Sequence, residues 1–214
     1  MCFNAPVSLT AFLVGSVLAI AVGIVALRLG YTSLAVLSFA WIWVIAMQWW
    51  EYMVWRQWHT DTATRLAYVF NVMQIPLLFL LFFHGQQNKT FSILASTVLA
   101  GYLVAMFYPI DERASIQPTT SPGATLPHLR YSWWEPSWNA VVYFVGLCSV
   151  FLLLVRPLPW SCACLITLLV LFAWSGILYG MESIASLWCF FAVFFPVIAL
   201  CLRLWLPGTA QAQR

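Results

Sequence analysis

Seven apolar runs constrain this chain more than any other feature. A hydrocarbon core of about 30 Å needs roughly 20 apolar residues per helix, and stretches near 6–28, 33–55, 64–84, 90–108, 138–155, 159–179 and 183–205 meet that length. The last two are separated only by Gly180-Met181-Glu182-Ser183, which reads as a tight helical hairpin. Lipid offers no partner to a backbone amide, so each run must satisfy its own hydrogen bonds as a helix. The expectation is an all-α, polytopic transmembrane bundle of seven helices, one domain spanning residues 1–214, embedded in a lipid bilayer. Composition agrees: 7% of residues are charged, against about 25% in a soluble domain. No Lys or Arg precedes the first run, which therefore lacks the basic start of a cleaved signal peptide and is expected to stay as a helix.

The basic residues suggest an orientation. With the N-terminus outside, Arg28, Lys89, Arg156, Arg203 and Arg214 fall inside, while Arg56, Arg65, Arg113 and Arg130 fall outside. The acids agree, because Asp61, Asp111, Glu112 and Glu135 all fall outside. The expectation is N-out, C-in, in the cell (inner) membrane, with the Asn88-Lys89-Thr90 sequon inside and unglycosylated.

Several function classes drop out. The net charge of +3 is dispersed, which speaks against nucleic acid as a partner. Lys89 is the one lysine and lies in a loop, so a retinal Schiff base in the last helix is excluded. His59, His84 and His128 sit at span ends or in the long loop, which argues against paired haem ligands or a three-histidine metal site. Cys162-x-Cys164 has no histidine nearby, and Cys148, Cys162, Cys164 and Cys201 lie within apolar runs, where cysteine serves as a small hydrophobe.

Polar side chains at membrane depth mark a bundle interior or a cavity. In the stretch MQWWEYMVWRQW, Met47, Gln48, Glu51 and Trp55 follow the i, i+3, i+4 spacing of one helix face, and Glu51 falls roughly 6 Å below Trp55. Trp49 and Trp50 point elsewhere, and Trp58 suits the interface. In the third run Tyr68, Asn71 and Gln74 share a face at overlapping depth. Pro76 follows and deprives the carbonyl of Val72 of its helical partner. That proline reads either as a kink satisfied by neighbouring side chains or as a carbonyl exposed to a ligand. Trp138, Asn139, Tyr179 and Trp188 belong to the same outer half, whereas the inner half is almost wholly apolar. Buried in lipid, Glu51 requires protonation, a shared hydrogen bond to Gln48, Asn71 or Gln74, or a bound cation.

The long connection near 109–137 is polar and rich in Pro, Ser and Thr, and ends in Tyr131-Ser-Trp-Trp-Glu-Pro-Ser-Trp138. It reads as an interfacial aromatic belt leading into helix five, or as a lid over an outward cavity. At the start of the chain, removal of Met1 would leave Cys2 with a free amine and thiol, a nucleophile or a soft metal ligand. Cys2, Met47, Glu51 and Cys189 could converge on a soft or borderline metal ion.

Met1-Cys2-Phe3-x-Ala5, Gln48-x-x-Glu51-x-x-x-Trp55 and Ser186-x-Trp188-Cys189-Phe190-x-Ala192 resemble an uncharacterised family of small bacterial integral membrane proteins. That family begins Met-Cys-Phe/Trp-Ser-Ala and carries a His/Gln-Gln-x-x-Glu motif in helix two and a Trp-Cys motif in its last helix. Here Asn4 stands in place of the serine, and Met47 where a histidine is found in some members, which weakens a shared metal site. The resemblance implies Cys2, Gln48, Glu51, Trp188 and Cys189 as functional residues and implies no activity.

Three function classes follow. The first is a binder or transporter of a small cationic or amphipathic ligand, held by Gln48, Glu51, Trp55, Asn71, Gln74, Trp138, Asn139, Tyr179 and Trp188. The second is a membrane-embedded enzyme acting on a lipid or quinone-like substrate with Glu51 as acid/base and Cys2 or Cys189 as nucleophile. The third is a homo-oligomeric or accessory subunit of a membrane complex, its thirteen tryptophans and Gly176-x-x-x-Gly180 serving helix packing.

Overall fold

A computed structural model of the chain describes residues 4–83, 88–107, 115–119, 128–134, 138–179 and 191–206. It is helical apart from one two-stranded hairpin. Among the described residues, five helices are long and apolar enough to cross a membrane: Ala5–Arg28, Thr32–Trp55, Thr60–Phe83, Lys89–Met106 and Leu158–Ser175. Asn139–Leu154 and Phe195–Trp205 are shorter apolar helices, and the first part of the expected seventh run lies outside the described residues.

Helix α1 (Ala5–Arg28) starts where the Asn4 side chain accepts from the Val7 amide at 3.0 Å, with proline in its first turn. It ends at Gly30, whose φ of +74° lets the Tyr31 amide reach back to the Ala26 carbonyl at 2.8 Å. The buried stripe of α1 is Ser8, Ala11, Gly15, Ala19, Val22, Gly23 and Ala26. Such small residues let backbones approach closely, and a Cβ at Gly23 would lie 2.6 Å from the Phe39 ring.

The second span is α2 (Thr32–Ile45) and α3 (Met47–Trp55), joined through a tightened turn at Ala46. The third is α4 (Thr60–Val72) and α5 (Gln74–Phe83), with a similar turn at Met73. It begins four residues earlier than the apolar pattern suggests. His59 at φ +46° starts the helix, and Asp61 in the first turn suits the positive end of the helix dipole. Trp43 stacks on Phe70 at 3.9 Å and donates to its carbonyl at 2.8 Å, tying the two broken spans together.

Helix α6 (Lys89–Phe107) is capped by Asn88, whose side chain accepts from the Thr90 amide at 3.0 Å. Strands β1 (Ile116–Thr119) and β2 (His128–Tyr131) pair antiparallel, Ile116 opposite Tyr131, and a 3₁₀ turn (Ser132–Trp134) follows. Helix α7 (Trp138–Ser149) runs into a π turn (Val150–Leu154), then come α8 (Leu158–Tyr179) and α9 (Phe195–Trp205). The core between them is Leu34, Leu37, Trp41, Ile45, Ile75, Leu78, Tyr143, Phe151, Trp160 and Phe195.

The all-helical architecture is as expected, and the small hairpin is an addition to it: a polar, proline-rich connection carries too little apolar periodicity to announce two four-residue strands. Arg203 departs from expectation. Grouped with the inner-side charges, it is 3% exposed, its guanidinium 4.8 Å from the Tyr31 ring and 5.9 Å from that of Trp160. Its aliphatic stem lets it lie along apolar surface while the head stacks on aromatic faces.

Candidate functional site

Gln48 and Glu51 lie on the buried face of α3 with Met47 and Val54, as the helical spacing requires, and both are 0% exposed. Asn71 closes α4 and Gln74 opens α5, so both flank the tightened turn at Met73, and both are buried. Four amide or carboxyl side chains thus enter the core from two adjacent spans. Buried groups of this kind cost several kcal/mol if unbonded, on the order of 1–3 kcal/mol each in proteins.

Aromatic donors meet three of them. The Tyr131 hydroxyl, carried by β2, donates to Glu51 Oε1. Trp133 Nε1 donates to Asn71 Oδ1 at 3.2 Å. The Tyr143 hydroxyl on α7 donates to Gln74 Oε1 at 2.5 Å. Asn139, one turn before Tyr143, donates through Nδ2 to the Trp133 carbonyl at 2.6 Å, which ties the hairpin's end to α7. Tyr131 and Trp133 meet edge to face at 5.0 Å, and Tyr68 lies edge to face with Trp133 at 5.5 Å.

These contacts bear on two aromatic residues of the long connection. Tyr131 is 0% and Trp133 7% exposed, so they are inserted into the bundle and do not form an interfacial belt. From β2 and the turn after it, Tyr131 reaches Glu51 and Trp133 reaches Asn71. Pro76 is resolved: the Val72 carbonyl accepts from the Tyr102 hydroxyl at 2.9 Å, a kink satisfied by a neighbouring side chain. Hydrogen-bonding capacity nonetheless remains in the cluster. Trp55 Nε1, Gln74 Nε2 and Asn139 Oδ1 are buried and have no hydrogen-bond partner among the described residues.

Met47 is buried in the core. Trp49 packs on Phe12 at 5.6 Å and Trp50 on Phe70 at 5.3 Å, away from Glu51 as expected. Trp58 is exposed beneath the Arg56 guanidinium at 5.1 Å. Cys2, Trp188 and Cys189, and the side chains of Trp138 and Tyr179, lie outside the described residues. Among the described residues no three His, Cys, Asp or Glu side chains gather as metal ligands. Cys164 is buried among apolar side chains.

The sequence reading reached Gln48, Glu51, Asn71, Gln74 and Asn139 but missed the donors Tyr131, Trp133, Tyr143 and Tyr102. A signal existed: each buried amide or carboxyl group needs a partner, and Tyr and Trp carry the donors that suit an apolar core. No family model, curated protein or solved structure matches this chain.

Proposed function

We propose that this is an integral membrane protein, N-terminus outside and C-terminus inside in the cell (inner) membrane, that binds a small cationic or amphipathic ligand beside Glu51 under the hairpin. The observation that carries this reading is the spare hydrogen-bonding capacity among the buried polar side chains of α3, α5 and α7. Trp55 Nε1, Gln74 Nε2 and Asn139 Oδ1 offer two donors and an acceptor, and they belong to the faces that carry Glu51, Asn71 and Tyr143. A buried polar group is ordinarily bonded, so atoms of this kind fit a ligand or its water. The surrounding Tyr131 and Trp133 rings suit a cation through their π faces, and the carboxyl group of Glu51 supplies the counter-charge.

Access requires the hairpin to lift, because Tyr131 holds the Glu51 oxygen that a ligand would use. The Tyr131–Glu51 bond acts as a latch whose free energy is subtracted from ligand affinity. Binding is favoured over transport, since away from the hairpin the packed residues are Leu34, Leu37, Phe79, Phe82 and Phe151. The test uses tetraphenylphosphonium, a lipophilic cation, titrated into protein in nanodiscs. Wild type is expected to bind saturably, Glu51→Gln to lose at least about tenfold in affinity while retaining its helical circular dichroism, and Tyr131→Phe to bind more tightly. Equal affinity of Glu51→Gln and wild type, or no saturable binding by wild type, overturns the reading.

A further inference from the structure

A second feature lies on the opposite flank of α7. Between α6, the segment of α7 with its π turn, and α8 lies a crevice of about 820 Å³. Leu94 and Val98 line it from α6, Val141, Val145 and Leu152 from the α7 segment, and Leu169 from α8. The ring pair Phe144 and Phe172, 3.7 Å apart, also lines it. Cys148 and Ser149 supply its polar atoms, and the Ser149 hydroxyl is engaged by the Val145 carbonyl at 2.7 Å. The occupant that suits this lining is hydrocarbon.

One end of the crevice carries charge. Arg156 folds back over the π turn and donates to the carbonyls of Leu152, Leu153 and Val155 at 3.0–3.3 Å. Those three bonds use three of its five N–H donors, so two remain for an anion. The guanidinium lies 5.8 Å from the Phe91 ring, and Phe91, Leu94 and Val98 follow one another along one face of α6 at spacings of three and four residues. The charge therefore stands where the apolar wall begins. Lys89, exposed, opens the same helix two residues before Phe91. From Leu152 to Ala140 the crevice runs twelve residues, about 18 Å along the helix, a little more than one leaflet of a ~30 Å hydrocarbon core.

We propose that this crevice seats an acyl chain of an anionic phospholipid whose phosphate is held by Arg156, with Lys89 adding to the attraction. The guanidinium fork matches a phosphate in a way that an ammonium does not, and cationic side chains at a membrane surface select lipids of net negative charge. The hydrocarbon lies against Leu94, Val98 and the Phe144–Phe172 pair, and the headgroup fixes its depth. The inference rests on membrane insertion but makes no use of Glu51, so Glu51→Gln is expected to keep the lipid.

Native mass spectrometry of protein exchanged into micelles with phosphatidylglycerol or phosphatidylcholine tests it. One phosphatidylglycerol is expected per chain, retained about tenfold more than phosphatidylcholine. Ala173→Trp fills the crevice without touching a charge and is expected to abolish retention; Arg156→Gln with Lys89→Gln is expected to erase the preference. Glycerol phosphate added alone is expected not to compete at the same concentration. Equal retention of the two lipids by wild type overturns the headgroup assignment, and phosphatidylglycerol kept by Ala173→Trp overturns the crevice. Should the Arg156 variant fail to fold, Ala173→Trp and Lys89→Gln carry the test.

Discussion

Tyr131 and Glu51 are eighty residues apart in the chain and share one hydrogen bond in the core. Each is a poor core residue alone: a carboxyl group costs free energy to bury, and a phenol needs an acceptor. Tyr131→Phe leaves a buried carboxyl oxygen with one donor fewer, and Glu51→Gln weakens the acceptor while keeping its shape. Each single change is expected to lower unfolding free energy by about 1–3 kcal/mol. Together they should cost less than the sum, with a coupling of about 0.5–3 kcal/mol in a double-mutant cycle measured by denaturation in micelles. Strict additivity would show that the two groups do not act on one another. The same logic separates residues whose roles are legible in sequence from those that are not. Glu51 is conspicuous because an acid within an apolar run is rare. Tyr131 is not, because aromatic residues at a span end have an ordinary explanation as interface anchors.

At the scale of elements, the kink at Pro76 is the clearest case of a local defect repaired at a distance. Proline removes the amide that would bond the Val72 carbonyl, and the Tyr102 hydroxyl from α6 supplies the missing donor at 2.9 Å. Tyr102→Phe is therefore expected to destabilise the protein by about 1–3 kcal/mol. In a Pro76→Ala background the amide returns, and the cost of Tyr102→Phe should fall by at least half; an unchanged cost would mean that Tyr102 contributes packing alone. The kink was legible from Pro76, whereas its partner was not, since Tyr102 lies in a different span and sequence spacing carries no information about contacts between helices. Five of the seven expected runs were legible as helices of spanning length, because a long apolar run has few ways to satisfy its backbone other than as a helix. The β1–β2 hairpin was not, since its order comes from strand pairing and from Tyr131 and Trp133 reaching into the bundle.

Across the whole molecule, orientation is the property that sequence charge decides least. Under the positive-inside rule Arg28, Lys89, Arg156, Arg203 and Arg214 stand against Arg56, Arg65, Arg113 and Arg130. Arg203 is held between the Tyr31 and Trp160 rings inside the bundle, so it is not a loop charge of the kind that the rule counts. Without it the two sides are equal, and the remaining asymmetry is the acids Asp61, Asp111, Glu112 and Glu135 that the N-out reading assigns to outer loops. Under the proposed ligand-binding role, a polar site beneath a two-stranded flap would suit the face that meets extracellular solutes, the N-out arrangement proposed above. Truncations fused to alkaline phosphatase, which is active only outside the cytoplasm, separate the alternatives. Fusion after Trp58 is expected to be active, and fusions after Gly30 and after Pro157 inactive. The reverse pattern would place the Glu51 site on the cytoplasmic face and make its ligand an intracellular one.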